Sequence, residues 1–178
     1  MLIGRGPRTA SFDLVDLLRE CHQRIRQFSD LAVAIAARRE APIEQVVDAC
    51  ADVRRYFREA LPLHVADEEE SILPRLVGQD SQVDEALVTM HRQHSEHEPM
   101  LQQLLAACSI VQSSPGALED LRAQILQLAT EFRGAFESHL MLEESRIFPS
   151  LGSLLSPEVQ NEIVQELRGR RNAAQSRR

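Results

Sequence analysis

The chain has 178 residues, 43% of them hydrophobic, and a formal charge of −7 at pH 7. That length suits one domain with a sizeable core rather than two, and the acidic balance argues against a general nucleic-acid binder, which needs a basic surplus or stripe. Ala, Leu, Val and Ile supply the apolar content, with one Tyr, six Phe and no Trp, as a helical bundle would use.

Glycine and proline punctuate the chain. No Gly occurs between Gly6 and Gly78, and Gly78, Gly116 and Gly152 fall where the apolar periodicity breaks. Four long helices fit between these breaks. The first is expected to start at Ser11 or Phe12, with Ser11 as N-cap and Asp13 and Asp16 near its positive end, and to stop near residue 39. Its apolar stripe holds Leu14, Leu18, Ile25, Phe28 and Ala32, and His22 lies on it. The second opens at Ala41 and Pro42, since Pro is tolerated at the first helical position. It runs through Val46, Val53 and Phe57 to about residue 73, with a kink expected at Pro62, which lacks a backbone donor.

The third helix follows the turn at residues 78–82 and continues to about residue 111. Leu87, Met90, His94, His97, Leu101, Leu104 and Leu105 line its inner side, and Pro99 predicts a second kink. Ser113 or Ser114 is expected to cap the fourth, which passes Leu121, Ile125, Leu128, Phe132 and Phe136 and ends near residue 148. Gly134 inside it suits either a close helix contact or a surface position. Residues 152–170 hold a short fifth helix capped by Ser156, with Pro157 at its first position, and the basic residues 171–178 read as a disordered tail. No strand signal is present. The fold class is therefore all-α, an antiparallel up-and-down four-helix bundle over residues 11–151 with a short C-terminal fifth helix.

Within this frame one pattern occurs twice. Residues 64–76 read HVADEEESILPRL and residues 139–151 read HLMLEESRIFPSL, so an offset of 75 gives H-x-x-x-E-E-x-x-I-x-P-x-L both times. Upstream, Phe57, Ala60 and Leu61 match Phe132, Ala135 and Phe136, and the surroundings of His22 resemble those of His94 at an offset of 72. The chain thus reads as a duplicated helical hairpin folded about a pseudo-twofold axis.

Residues four apart on a helix share a face, about 6 Å apart, so His64 with Glu68 and His139 with Glu143 each make an imidazole–carboxylate pair. These pairs lie in apolar stripes, where a bare carboxylate is costly unless protonated, paired or bound to metal. Each long helix brings at least one inward His: His22, His64, His94 and His139. If Glu68 and Glu143 each bridge two metals and each metal takes two His, every metal has four protein ligands. A bridging hydroxide or oxide adds a fifth, and an octahedral ion keeps an open position. Imidazole with carboxylate suits Fe, Mn, Co or Zn, and redox chemistry with six-coordination favours Fe. Asp67, Glu69, Glu70 and Glu144 read as an exposed acidic face, with a hydrogen bond between one of them and an inward His as the lesser alternative. His91 reads as a solvated residue, Tyr56 as partly buried, and Ile72, Leu73, Ile147 and Phe148 as core, Ile72 and Ile147 also suiting the wall of a pocket.

A His on the first helix, H-x-x-x-E on the second, a His on the third and H-x-x-x-E on the fourth, with an [IL]-[LF]-P element after each Glu, resembles the hemerythrin-like, or HHE, cation-binding domain. The resemblance covers about residues 11–151 and implies a four-helix bundle with a non-haem di-iron centre. By resemblance His22, His64, Glu68, His94, His139 and Glu143 are the ligands, with both glutamates bridging two iron ions. Oxygen-carrying hemerythrins place two His four apart on the third helix and use a fifth His, whereas here His91, His94 and His97 are spaced by three. His97 is either a fifth ligand or a neighbour of one. In those carriers the fourth-helix carboxylate stands five residues after its His, whereas Glu143 stands at four and Glu144 at five. The chain is closer to the four-His, two-Glu members, which handle iron, repair iron centres or respond to nitric oxide, oxygen or peroxide.

The resulting expectation is a cytoplasmic di-iron protein that binds or senses oxygen, nitric oxide or peroxide at an open iron position. Turnover of peroxide or nitric oxide, with an external electron donor for reduction, is the enzymatic alternative, and delivery of iron to an acceptor protein is a third. Ferritin-like centres use E-x-x-H, and none of the six His has Glu three residues before it. Cys21, Cys50 and Cys108 are far apart and without C-x-x-C spacing, as free thiols in a reducing compartment are. The start lacks the apolar core of a signal peptide, and the longest apolar run, residues 31–37, is too short to span a bilayer.

Overall fold

The computed structural model describes residues 14–176. They form helices, with no strand among the described residues. The first helix, α1 (Leu14–Ala37), carries Leu14, Leu18, His22, Ile25, Ala32 and Ile35 on its buried stripe. The expected cap Ser11, with Phe12 and Asp13, lies outside the described residues. At the other end of α1 the guanidinium of the buried Arg122 donates to the Ala36 carbonyl at 3.1 Å, satisfying one of the groups a helix C-terminus leaves open.

The second stretch is segmented. Helix α2 (Ile43–Glu59) gives way at Ala60 to α3 (Leu61–Ala66), two residues before Pro62, so the expected loosening is there. A π-helical segment, Asp67–Ile72, and the short α4 (Leu73–Leu76) complete it. The turn that follows uses Gly78 at φ 79°, a left-handed conformation that favours glycine. Asp80 then caps α5 (Ser81–Ser113), accepting from the backbone N–H groups of Gln82 and Val83. Unlike Pro62, Pro99 leaves its helix unbroken.

The fourth stretch begins with a 3-10 turn, Pro115–Ala117, and continues as α6 (Leu118–Leu142), a π-helical segment Glu143–Ile147, and α7 (Phe148–Leu154). Ser114 stands at the N-cap of that turn, where its carbonyl accepts from Ala117 N–H but its side chain makes no cap bond, while the Ser113 hydroxyl donates backwards to the Ser109 and Ile110 carbonyls, closing α5. Gly134 is exposed, and a Cβ there would meet nothing, so it serves no close contact.

Both π-helical segments have one local cause. Pro74 and Pro149 cannot donate to the carbonyl four residues earlier, and their rings press on it. Widening the turn to the i+5 pattern relieves this, with Leu73 N–H donating to Glu68 O and Phe148 N–H to Glu143 O. The residue whose carbonyl takes the widened bond is in each case the glutamate of the H-x-x-x-E pattern.

Around the bundle α1 packs on α2 and α6, and α5 packs on the same two, closing a four-membered ring. The last helix, α8 (Pro157–Gln175), is capped by Ser156 as expected but runs longer than the sequence suggests. It takes in residues 171–175 of the expected disordered tail. The physical reason is a partner: Arg170 and Arg171 pair with the fully buried Asp67 at 2.9 and 2.7 Å, while Ile163, Val164 and Leu167 join the core. Arg177 and Arg178 lie outside the described residues.

Candidate metal centre

The core is two apolar clusters with a polar layer between them. Along α1 the order is Leu18 in one cluster, His22, then Ile25 in the other. The second stretch passes Leu61, His64, Glu68 and Ile72, and the fourth passes Phe136, His139, Glu143 and Ile147. Met90 and Leu101 flank His94 on α5 in the same way. Helical periodicity thus puts one His per stretch, and a Glu one turn further in two of them, at a common level. Water is excluded from both ends.

All six expected residues meet there. They fall into two groups, His22, His64, Glu68 and Glu143, and Glu68, His94, His139 and Glu143, and within each group the ligand atoms lie within 4.8 Å of one another. The groups share both glutamates, oxygen by oxygen. Glu68 turns Oε1 to His64 Nε2 and Oε2 to His94 Nε2, each at 3.2 Å. Glu143 turns Oε2 to His22 Nε2 at 3.0 Å and Oε1 to His139 Nε2 at 2.8 Å. Each histidine pair comes from one hairpin, and the carboxylates link the pairs.

The outer edges of the imidazoles explain the second Glu of the repeated E-E. His22 Nδ1 lies 2.8 Å from Glu144 Oε1, and His94 Nδ1 lies 2.7 Å from Glu69 Oε1. Each hairpin's second glutamate therefore holds the other hairpin's first-helix histidine. These acceptors put the imidazole proton on Nδ1 and leave the Nε2 lone pair facing inward, as a metal-ligating histidine needs. Gln93 Oε1 does the same for His139 at 2.9 Å, whereas His64 Nδ1 is buried without a partner. Glu69 and Glu144 are thus not a free acidic face, because each has a ring to orient. Glu144 is also tied to Arg26 at 2.8 Å, and Glu69 to the exposed His91 at 3.0 Å. Burial alone would raise both carboxyls, but these N–H donors hold them below the usual range.

Without a cation the layer is poorly satisfied. The Nε2 atoms of His22, His64, His94 and His139 and both oxygens of Glu68 and Glu143 are buried without a hydrogen-bond partner. Leaving such groups unpaired costs about 1–3 kcal/mol each, more where charged. Burial, and then the neighbouring Glu143, push the Glu68 carboxyl well above its ordinary range. His64 is lowered to about 3 by burial, so its ring is a neutral donor at pH 7. Imidazole nitrogens aimed at two carboxyl groups in a dry layer are what a cation pair would satisfy, and the donor set contains no sulfur.

His97 belongs to neither group. It is buried, with its ring 5.6 Å from His139 and 5.0 Å from Phe136, and its Nδ1 has no partner. His91 is exposed, as expected. Tyr56 is half-buried and stacks on Phe28 at 4.1 Å, away from the layer. Phe148 packs against His22 at 4.8 Å, and Ile72 and Ile147 are buried, so all three wall the layer. Sequence reasoning missed Asp67, expected on an exposed face and found fully buried. Its signal was an acid standing where the repeat has Leu142.

A helical bundle whose inward histidines share two carboxylates defines a class of cation-binding four-helix protein. The model of the hemerythrin HHE cation-binding domain matches residues 13–151. The chain belongs to that family. No curated protein sequence matches it.

Proposed function

We propose that this chain is a two-iron protein that binds dioxygen, nitric oxide or peroxide, with His22, His64, Glu68, His94, His139 and Glu143 as its ligands. The observation that carries the reading is the division of both carboxylates, one oxygen toward each histidine pair. That division supports two ions bridged by Glu68 and Glu143, with oxide or hydroxide completing the bridge. Iron so held supplies redox chemistry and, with four protein donors to each ion, a coordination position for a small ligand.

The protein's own part is to orient, exclude and admit. Glu144, Glu69 and Gln93 fix three of the four imidazoles. Ile72, Ile147 and Phe148 keep bulk water from the layer. A cleft of about 370 Å³ between α1 and α6, lined by Ile25, Phe136 and Leu140 and rimmed by Arg26 and Glu137, comes to within one turn of His22 and to the neighbour of His139. None of the six ligands lines it, so what passes further must be small. No helix among the described residues is long and apolar enough to cross a membrane.

The test is metal content per chain after iron loading, read with near-ultraviolet absorption before and after azide or nitric oxide. Two irons with an oxo-to-iron charge-transfer band that shifts on ligand addition is the expected result. Failure to take up iron, or a band indifferent to both ligands, sinks the proposal.

A further inference from the structure

The pseudo-twofold repeat makes departures from it informative. At an offset of 75 the buried Asp67 stands where the second hairpin has Leu142, a partly buried residue packed into the core. At an offset of 72 Cys21 stands where the second hairpin has Gln93, the residue that takes His139 Nδ1–H. Each departure is adjacent in sequence to a proposed ligand, Asp67 to Glu68 and Cys21 to His22. One side chain touches both: Arg171 Nη2 donates to Asp67 Oδ2 at 2.7 Å and to Cys21 Sγ at 3.4 Å.

Arg171 does not act alone. Arg170 donates to the other Asp67 oxygen at 2.9 Å and to Ser71 Oγ at 2.7 Å, and pairs with Glu70 at 3.2 Å. Residues 67, 70 and 71 all belong to the π-helical segment that presents Glu68. An acid buried this completely is tolerated only where cations meet it, so Asp67 has its place because α8 is there.

We infer that α8 is a strap for the first hairpin's share of the site: Arg171, with Arg170, supports His22 through Cys21 and Glu68 through Asp67, so the ion held by His22 and His64, which depends on both contacts, relies on α8 more than the ion held by His94 and His139, which shares only the segment of Glu68 and Glu69. The inference rests on the two-ion reading above. The second hairpin has Gln93, which takes His139 Nδ1–H, and a partly buried Leu142 at the matching places.

The test follows release of iron from the loaded full-length protein to excess chelator, in wild type, Arg171→Met and Glu166→Gln. Arg171→Met is expected to speed loss of the ion held by His22 and His64 by about 10- to 100-fold, the range typical of residues that support a ligand, and loss of the other by much less. His22→Ala in the same assay identifies the affected ion by deleting that phase. Glu166→Gln loosens the contacts of α8 with Ser71 and Arg75 but leaves Asp67 and Cys21 their arginines, and is expected to speed loss of either ion far less than Arg171→Met. Equal acceleration of both ions by Arg171→Met, or the same change in Glu166→Gln, shows that α8 only holds the bundle together and overturns the strap. Should Arg171→Met fail to fold, the isosteric Asp67→Asn replaces it.

Hydrogen exchange on the metal-free full-length chain is a second arm. Faster exchange across residues 61–76 but not 139–154 in the Arg171→Met chain supports the strap, and a uniform rise or none overturns it. If the wild type takes up fewer than two ions, the two-ion reading fails and the exchange arm alone decides the strap.

Discussion

The hairpin of residues 14–76 and the hairpin of residues 81–154 present the same inward histidines and glutamate on different supports. What matches is what the two proposed metal positions would need. Glu68 and Glu143 are shared, Glu69 and Glu144 each hold a histidine of the other hairpin, and both glutamates open a π-helical turn forced by a proline. Phe57 and Phe132 match too and meet edge to face at 5.1 Å beneath the layer. What differs, Asp67 against Leu142, Cys21 against Gln93 and Ile25 against His97, decides what each ion's surroundings are. Symmetry marks the site, and its breaks mark the neighbours.

The strongest way to break the comparison is at the shared residue. Glu143→Ala removes one oxygen from each group, so metal content after loading and desalting is expected to collapse at both positions. His22→Ala and His139→Ala each remove a donor from one group and should spare the other. If Glu143→Ala loses no more metal than either histidine variant, the carboxylate is not shared.

Next comes the matched aromatic pair. Phe57→Ala and Phe132→Ala each empty a fully packed position and should destabilise the metal-free chain by about 3–5 kcal/mol in urea unfolding. Because the rings touch, the double variant is expected to fall short of the sum. Strict additivity would mean that the two hairpins are not packed through this pair.

A smaller effect crosses between the hairpins. Glu144→Ala is expected to weaken the position held by His22 and His64, and Glu69→Ala the position held by His94 and His139, each by about 10- to 100-fold in metal affinity. Competition against a calibrated chelator measures both. Weakening of the position on the same hairpin as the mutated glutamate would contradict the crossed arrangement.

The bundle and the six inward residues were legible because helical spacing acts locally: four residues carry His64 to Glu68 and His139 to Glu143 wherever the rest of the chain goes. The role of Glu69 and Glu144 was legible only as a lesser alternative to an exposed face, and its crossing not at all, since adjacent helical residues face different ways and their histidine partners lie on the other hairpin. The signal was there, in a second Glu repeated at the same offset. Asp67 was misread because its partners, Arg170 and Arg171, stand about a hundred residues away on a helix whose charges look like a solvated end. The π-helical turns went unread although Pro74 and Pro149 recur in register, because proline's effect was sought at Pro62 and Pro99 instead. Pro99 shows that a proline in a long, well-packed helix need not break it.

The smallest effect per step is acid, and here rings from both hairpins pull together against two carboxyls. Burial lowers His64 of the first hairpin to about 3, His97 of the second to about 4, and His94 below its ordinary value. In the metal-free chain the unfolded state takes up protons near pH 6.5 that the folded rings refuse. Their share of stability is whole above that pH and is lost as pH falls, by up to about 1.4 kcal/mol per pH unit for each ring. Glu68 and Asp67 oppose them. Their raised carboxyls keep protons that the unfolded chain releases at about pH 4, so their share is present at low pH and falls as pH rises. Three rings against two carboxyls leave a net loss of stability on acidification from pH 6.5 to 4.5, measurable as the urea midpoint of the metal-free protein. Two variants separate the terms by sign: His97→Phe should flatten that slope and Glu68→Gln should steepen it. A midpoint that holds or rises with acid would mean that the rings of the layer already carry protons at neutral pH, and that the carboxylates are paired by imidazolium rather than waiting for a metal.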